Sequence, residues 1–264
     1  MRDLFHIPGP FGPSGSGSGD PDDWPDDGSD AWLAARYPHP PAGDAGARPW
    51  VRANMVSSLD GAVEVDGRSG GLASDADRRV FGLLRTRADV ILVGAGTVRA
   101  EDYRGARRGA GDLPPPIAVV TGSAELDPGA RLFTDTRTAP IVITTADAPP
   151  DRRTALADAG GDVAALTDLR PATLLAELAR RGLHRVLCEG GPTLLGAMVA
   201  ADLVDELCLT LSPLLAAGRA GRTAVSDPAP PRSMRLAGAL EEDGSLFLRY
   251  ARSSGRSPVD PPNG

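Results

Sequence analysis

Apolar residues in this chain fall into short continuous runs separated by longer stretches of helical spacing. Val90-Ile-Leu-Val93 is the clearest run. It is too short for a helix and too continuous for a strand with one wet face, so it reads as a central strand buried on both sides. Comparable runs predict strands over 51–57, 89–94, 116–121, 140–145 and 185–189, and spacings of three and four predict helices over 75–86, 151–159, 171–181 and 192–200. This alternation predicts an α/β fold, a mostly parallel central sheet with helices on both faces. The pattern then changes. Residues 205–212 alternate polar and apolar, and 234–240 and 245–250 flank Glu241-Glu-Asp-Gly244, a hairpin signal. The sheet should therefore be mixed, with an antiparallel C-terminal hairpin.

The ends depart from this pattern. Residues 1–47 are dominated by Gly, Pro, Ser and Asp and bury too little to offset ordering entropy, so they are expected to be largely disordered. One exception is 30–37, a short helix capped by Asp30 that would dock Trp32, Leu33 and Tyr37 on the body. The body itself spans 48–252 as one domain, and 253–264 reads as a flexible tail.

Composition removes several function classes. All 28 basic residues are arginine. The absence of lysine excludes a Schiff-base lysine, a Gly-Lys-Ser/Thr phosphate loop and a Tyr-x-x-x-Lys pair. Of the net charge of −7, residues 1–47 supply −6 through eight Asp against two Arg, so the body is nearly neutral. It offers no basic field for nucleic acid. Cys188 and Cys208 lie in strand-like runs without zinc or disulfide spacing and read as inert core thiols, and no metal site is expected. With no signal-peptide pattern and no run of about 20 apolar residues, neither export nor a membrane is expected, and the default location is the cytoplasm.

Three segments carry chemistry. The strand 90–93 runs into Gly94-Ala-Gly-Thr-Val-Arg-Ala-Glu101, where Gly94 and Gly96 let backbone N–H groups approach a ligand and a following helix would face a phosphate. This only partly matches Gly-x-Gly-x-x-Gly, and an ordinary glycine-rich turn is the competing explanation. Asn54-Met-Val-Ser-Ser-Leu-Asp-Gly61 is a strand ending in a polar turn, followed by Arg68-Ser-Gly-Gly-Leu-Ala-Ser-Asp75, where Ser74 fits a helix cap with Asp77 behind it. Arg185-Val-Leu-Cys-Glu-Gly-Gly-Pro-Thr-Leu-Leu195 delivers Glu189 to the carboxyl end of a buried strand, with two glycines before a helix opened by Pro192.

In this order the three segments resemble the reductase domain of riboflavin-biosynthesis enzymes, whose marks are Ser-Leu-Asp-Gly, Val-Gly-x-Gly-Thr-Val-x-Ala-Glu/Asp and Glu-Gly-Gly. The resemblance covers about residues 49–252. It implies a dihydrofolate-reductase-like fold, usually dimeric, that uses NADPH to reduce the ribosyl group of a phosphorylated aminopyrimidine to ribityl. The zinc deaminase often joined to such domains is not expected in this sequence, because His6, His39 and His184 lack Cys partners. For the cofactor the resemblance implies Val56, Gly71, Gly94, Gly96, Thr97 and Glu101. It places the pyrophosphate on Gly190, Gly191, Pro192, Thr193, Leu194 and Leu195, and the adenosine 2′-phosphate near Thr121 and Ser123. Glu101 and Glu189 would act at the reacting centre, Glu189 holding ribose hydroxyls. Asn54, Ser69, Arg85 and Arg108 would bind substrate, with arginine forks suited to phosphate. Arg85 and Arg108 are equally readable as solvated surface charges, and Arg107 is equivalent to Arg108 on sequence grounds.

Two departures bear on substrate. Many relatives carry lysine where this chain has Asn54, and a bulky residue near Gly71, whose missing side chain would leave room for a larger heterocycle. Two alternatives therefore stand beside the pyrimidine reductase: a pterin or dihydrofolate reductase on the same fold, and a non-catalytic NADPH-binding protein.

Overall fold

The computed structural model describes residues 1–6, 29–39, 48–107 and 112–253. Chain order is β1 (Arg2–His6), α1 (Asp30–Arg36), β2 (Trp50–Ser58), α2 (Asp75–Arg87), β3 (Val90–Gly94), α3 (Ala95–Ala100), β4 (Ile117–Val120), α4 (Arg131–Thr134), β5 (Ile141–Thr145), α5 (Pro150–Asp158), β6 (Asp162–Leu166), α6 (Pro171–Arg180), β7 (Arg185–Cys188), α7 (Pro192–Ala200), β8 (Glu206–Ser212), β9 (Met234–Glu242) and β10 (Ser245–Arg252). All described strands join one sheet in the order β1-β9-β10-β8-β2-β7-β3-β4-β5-β6. From β8 to β6 every neighbouring pair is parallel, and β10, β9 and β1 continue antiparallel.

The continuous apolar strands exist because helices cover both faces. In β3 every residue from Val90 to Val93 is buried, but Ile91 and Val93 join one core while Val90 and Leu92 join the other. The first core receives Trp32 and Leu33 of α1, Val80 and Leu84 of α2, Val98 of α3 and Leu156 of α5. The second receives Leu174, Leu175 and Leu178 of α6 and Leu195 and Met198 of α7. Connections from β2 through β6 step one way along the sheet, and those from β6 to β8 step back, so right-handed crossovers place their helices on opposite faces. The reversal leaves β7 between β2 and β3, and a crevice opens beyond the carboxyl ends of those strands.

Four sequence expectations need correction or completion. Residues 2–6, expected to be disordered, pair with β9 along the sheet edge. The cap of α1 is Ser29, whose hydroxyl accepts from the Trp32 N–H, in place of Asp30. Strand β6 was not anticipated, because this sheet edge buries only Ala164 and so lacks the apolar run of its neighbours. The 3-10 turn Ser69–Gly71 before α2 was also unforeseen. The hairpin forms as expected, around a two-residue Asp243-Gly244 turn with positive φ at both positions. The predicted flexible tail lies almost wholly outside the described residues. No described helix is long and apolar enough to cross a membrane.

Candidate functional site

Strand period decides which side chains enter the crevice. Leu187 packs in the α2-side core and Cys188 in the other, so the next residue, Glu189, returns to the α2 side. Ala53 faces the α6–α7 core, which turns Asn54 and Val56 toward α2. From above, the helical spacing of α2 aims Asp77, Phe81 and Arg85 down into the same space. Together with the 3-10 turn and the turn after β3, they enclose a cavity of about 860 Å³, large enough for a nucleotide-sized ligand.

At its inner end Glu189 is held from three directions. Arg85 donates Nε to Oε1 and Nη2 to Oε2, each at 2.7 Å, and the Tyr103 hydroxyl donates to Oε2 at 2.7 Å. The Glu189 side chain is only 2% exposed and that of Arg85 15%. The guanidinium lies 4.2 Å from the Phe81 ring centroid and 5.3 Å from that of Tyr103. Burial opposes the Arg85 charge, but the adjacent carboxylate outweighs it and holds the guanidinium above its ordinary pKa. Burial, reinforced by the Glu189 charge, raises the Tyr103 hydroxyl well above the usual tyrosine value. The assembly presents a fixed, ionised acceptor to hydroxyl groups entering the cavity.

The opposite wall is backbone. Gly94 donates its N–H to the Gly190 carbonyl at 2.8 Å, clasping the turns after β3 and β7 together. A Cβ on Gly94 would meet the Gly191 nitrogen at 3.5 Å, and one on Gly191 would strike the Thr97 hydroxyl. Gly190 has φ +81°, a conformation that favours glycine. Gly191 caps α7, and Pro192 at its first position sacrifices no N–H, so the Thr193 and Leu194 amides are left at the cavity edge. Such an end attracts phosphate. Between the walls, Glu101 accepts the Ser69 N–H at 2.7 Å. Among the described residues no cluster of His, Cys, Asp and Glu could hold a metal. Cys188 is fully buried, and burial pushes its thiol up to about 11, consistent with an inert core residue.

A family model described as the RibD C-terminal domain matches residues 49–246. The chain belongs to this family. Among relatives of this RibD C-terminal domain is the 2,5-diamino-6-ribosylamino-4(3H)-pyrimidinone 5′-phosphate reductase of Archaeoglobus fulgidus, 31% identical over 218 residues, 78% of this chain and 98% of the relative. The riboflavin biosynthesis protein RibD of Mycobacterium tuberculosis is 33% identical over 183 residues, 68% of this chain and 46% of that protein. A pyrimidine reductase-like protein from Corynebacterium diphtheriae superposes with a TM-score of 0.70 at 26% identity, covering 78% of this chain and 93% of that one. The RibD C-terminal domain thus has the dihydrofolate-reductase-like fold.

The residues singled out from the sequence divide into three groups. Asn54, Val56, Ser69, Arg85, Gly94, Gly96, Thr97, Glu101, Glu189, Gly191, Pro192, Thr193 and Leu194 all line the one cavity. Several others do not. Leu195 is 3% exposed within the core, and Gly190 acts through the clasp. Thr121 and Ser123 lie farther along the row of strand ends, outside the lining, where Arg152 donates to the Ser123 carbonyl at 3.3 Å. Gly71 is exposed, and the space beside it is filled by Val65, 3.0 Å from an added Cβ, so it opens no extra room in the cavity. Arg108 lies outside the described residues, and Arg107 is paired with Asp135. Arg85 is neither a solvated charge nor a free fork, because Glu189 occupies two of its donors.

Sequence reasoning missed Asp77 as a cavity residue, and Phe81, Tyr103 and Arg104 altogether. Ser74 does cap α2, accepting the Asp77 N–H at 3.1 Å, but the Asp77 side chain turns to the cavity. The spacing of 77, 81 and 85 was the available signal. Arg104 lines the cavity and makes no hydrogen bond or ion pair among the described residues.

Proposed function

We propose that this chain is an NADPH-dependent reductase that converts the ribosyl group of a phosphorylated ribosylaminopyrimidine to ribityl. The observation that carries this reading is the buried Glu189 carboxylate, fixed by Arg85 and Tyr103 beside the glycine clasp. Names of full-length relatives such as the Archaeoglobus reductase support the substrate class. The cradle fits a dinucleotide: Gly191 has no room for a side chain, and a Cβ on Gly96 would meet nothing within 4 Å, so that turn is open to a ligand. Gly94, Gly96, Thr97 and the start of α7 would hold the cofactor, which supplies a hydride when bound.

The protein's own part is positioning. Glu189 accepts from hydroxyls of the opened sugar and fixes the carbon to be reduced, while Phe81 and Tyr103 keep water from it. Asn54 adds a neutral amide on the floor. Glu101, tied to Ser69, holds the 3-10 turn against the cofactor side. Arg104, rather than Arg85, takes the sugar phosphate. Exposed Leu59, Leu214 and Leu215, with the Leu59 N–H bonded to the Leu214 carbonyl at 2.9 Å, support a self-association face for a homodimer.

The test is consumption of NADPH, followed by loss of its near-ultraviolet absorbance, with the ribosylaminopyrimidine phosphate and with dihydrofolate. Turnover of the first and not the second is expected, with NADH slower than NADPH. Turnover of dihydrofolate alone, or no binding of NADPH, overturns the reading. Arg104→Gln should raise KM for the phosphorylated substrate with little change in kcat.

A further inference from the structure

The Ser58-Leu-Asp-Gly61 turn at the end of β2 has no part in the chemistry at Glu189 and lies outside the lining of the main cavity. Its serine, aspartate and glycine are nonetheless all engaged. The Ser58 hydroxyl accepts the Ala62 N–H at 2.9 Å and donates to the Asp60 carboxylate, while Gly61 takes φ +88° to close the turn. Asp60 then reaches across to the segment after β8, where Oδ1 accepts the Ala216 N–H at 3.1 Å and Oδ2 the Ala217 N–H at 2.7 Å. Beside these bonds the Leu59 N–H donates to the Leu214 carbonyl at 2.9 Å. Two successive amides ahead of left-handed backbone, at Ala217 (φ +54°) and Gly218 (φ +77°), make the kind of concavity that grips an anion. The Ser58 hydroxyl first, and then the two amides, hold the exposed Asp60 carboxyl down at about 2, so it is ionised near neutral pH.

The segment held in this way, residues 213–225, is a strap that apolar burial does little to fix. None of its residues is buried, and only Ala224 packs against a core. Beneath it lies a second cavity of about 450 Å³, lined jointly by Gly218 and Thr223 of the strap and Ser57 and Leu209 of the sheet. With a hollow under it, the strap takes its height from the Asp60 carboxylate. At its far end the Val225 N–H donates at 3.0 Å to the carbonyl of Pro192, the first residue of α7, and the Val225 backbone sits so close to Gly196 that a Cβ there has no room. Midway, an added Cβ on Gly221 would stand 3.9 Å from Cγ2 of Val63, which lines the main cavity. The strap therefore runs from Asp60 to two edges of that cavity, the Val63 wall and the helix end that presents the Thr193 and Leu194 amides.

We propose that Asp60 is a positioning residue for the nicotinamide cofactor, which anchors the strap and through it fixes the first turn of α7 and the Val63 wall. This rests on the reading of the main cavity as an NADPH site. Asp60 itself faces the second cavity and not the first, so it acts through the strap and touches neither cofactor nor substrate. Coupling of this kind is reciprocal, and cofactor bound at α7 must in turn steady the strap.

Asp60→Asn keeps the size of the side chain, removes its charge and turns one acceptor into a donor facing an amide. Titration of the variant with NADPH, followed by cofactor fluorescence, should give a dissociation constant raised on the order of tenfold. KM for NADPH should rise with it, while kcat at saturating NADPH and KM for the ribosylaminopyrimidine phosphate stay unchanged. A residue that served folding alone would lower the melting temperature and leave NADPH affinity as it was, so an unchanged dissociation constant in folded Asp60→Asn overturns the inference. The wild-type protein supplies a second measurement that needs no variant: saturation with NADPH should slow amide hydrogen exchange at Ala216, Ala217 and Val225 severalfold, and unchanged exchange there overturns the inference as well. Either negative result in a protein that still binds and oxidises NADPH leaves the proposed function standing. A wild-type protein that does not bind NADPH refutes that function, and this inference with it.

Discussion

Replacing Arg85 by methionine removes a charge while keeping an unbranched chain against Phe81 and Tyr103. Glu189 would then hold its charge with a side chain 2% exposed and only the Tyr103 hydroxyl as donor, in place of two further bonds of 2.7 Å. Removing one partner of a buried pair costs about 3–5 kcal/mol. Because the Arg85 side chain is 15% exposed, water can partly reach the site, and the lower end, about 3 kcal/mol, is expected. For a domain of this size that corresponds to a melting temperature lower by about 6–12 °C. Urea denaturation with an unchanged m-value would measure it. The double variant Arg85→Met/Glu189→Met leaves no uncompensated charge and should recover most of the loss, giving a coupling energy of at least about 2 kcal/mol in the cycle. A single-variant loss under about 1 kcal/mol, or strict additivity, would show that the pair is solvated and that Glu189 is not electrostatically pinned.

Other expectations follow from single contacts. Glu189→Gln keeps the shape but loses the ionised acceptor, so kcat should fall roughly tenfold to a hundredfold while the NADPH dissociation constant stays unchanged; equal activity would remove Glu189 from the reaction. Gly196→Ala pushes a Cβ into the Val225 backbone and should cost about 1–3 kcal/mol of unfolding free energy, read as a shift of the denaturation midpoint. His39 is pushed down to about 2, by burial first and then by Arg52, Arg185 and Arg87. The folded state keeps it neutral while the unfolded chain protonates it below its ordinary value, so stability should fall as pH drops from about 6.5 toward 2, by at most about 1.4 kcal/mol per unit from this residue. His39→Leu should flatten that slope, and an unchanged slope would mean that the imidazole is wet.

Where an element owes its place to its own residues, the sequence was readable. The runs ending at Gly94 and Cys188 could only be two-sided strands, and glycine and proline marked where each turned into a helix. Edge strands were harder. In β6 only Ala164 is buried, and β1 adjoins a stretch whose composition masks four pairing residues. At the site, residues adjoining a glycine turn were legible because backbone approach leaves a mark in sequence. Tyr103 was not, because it meets Glu189 across a separation of 86 positions. Arg85 was found, but its sequence neighbourhood says nothing of the carboxylate waiting just past the end of β7.

One helix face carries the carboxylate, ring and guanidinium of the cavity roof, and this limits how the pocket can change. Side chains on a single helix cannot drift apart gradually. Moving a group along the same face means relocating it by three or four residues, about 5.4 Å, and inserting one residue would swing everything beyond it through roughly 100° and out of the cavity. Ligand length is therefore read in whole helical turns. Variants that accept a longer or shorter sugar chain should arise by transplanting the arginine to another turn of α2 together with a matching shift of its carboxylate partner, and not by trimming side chains in place.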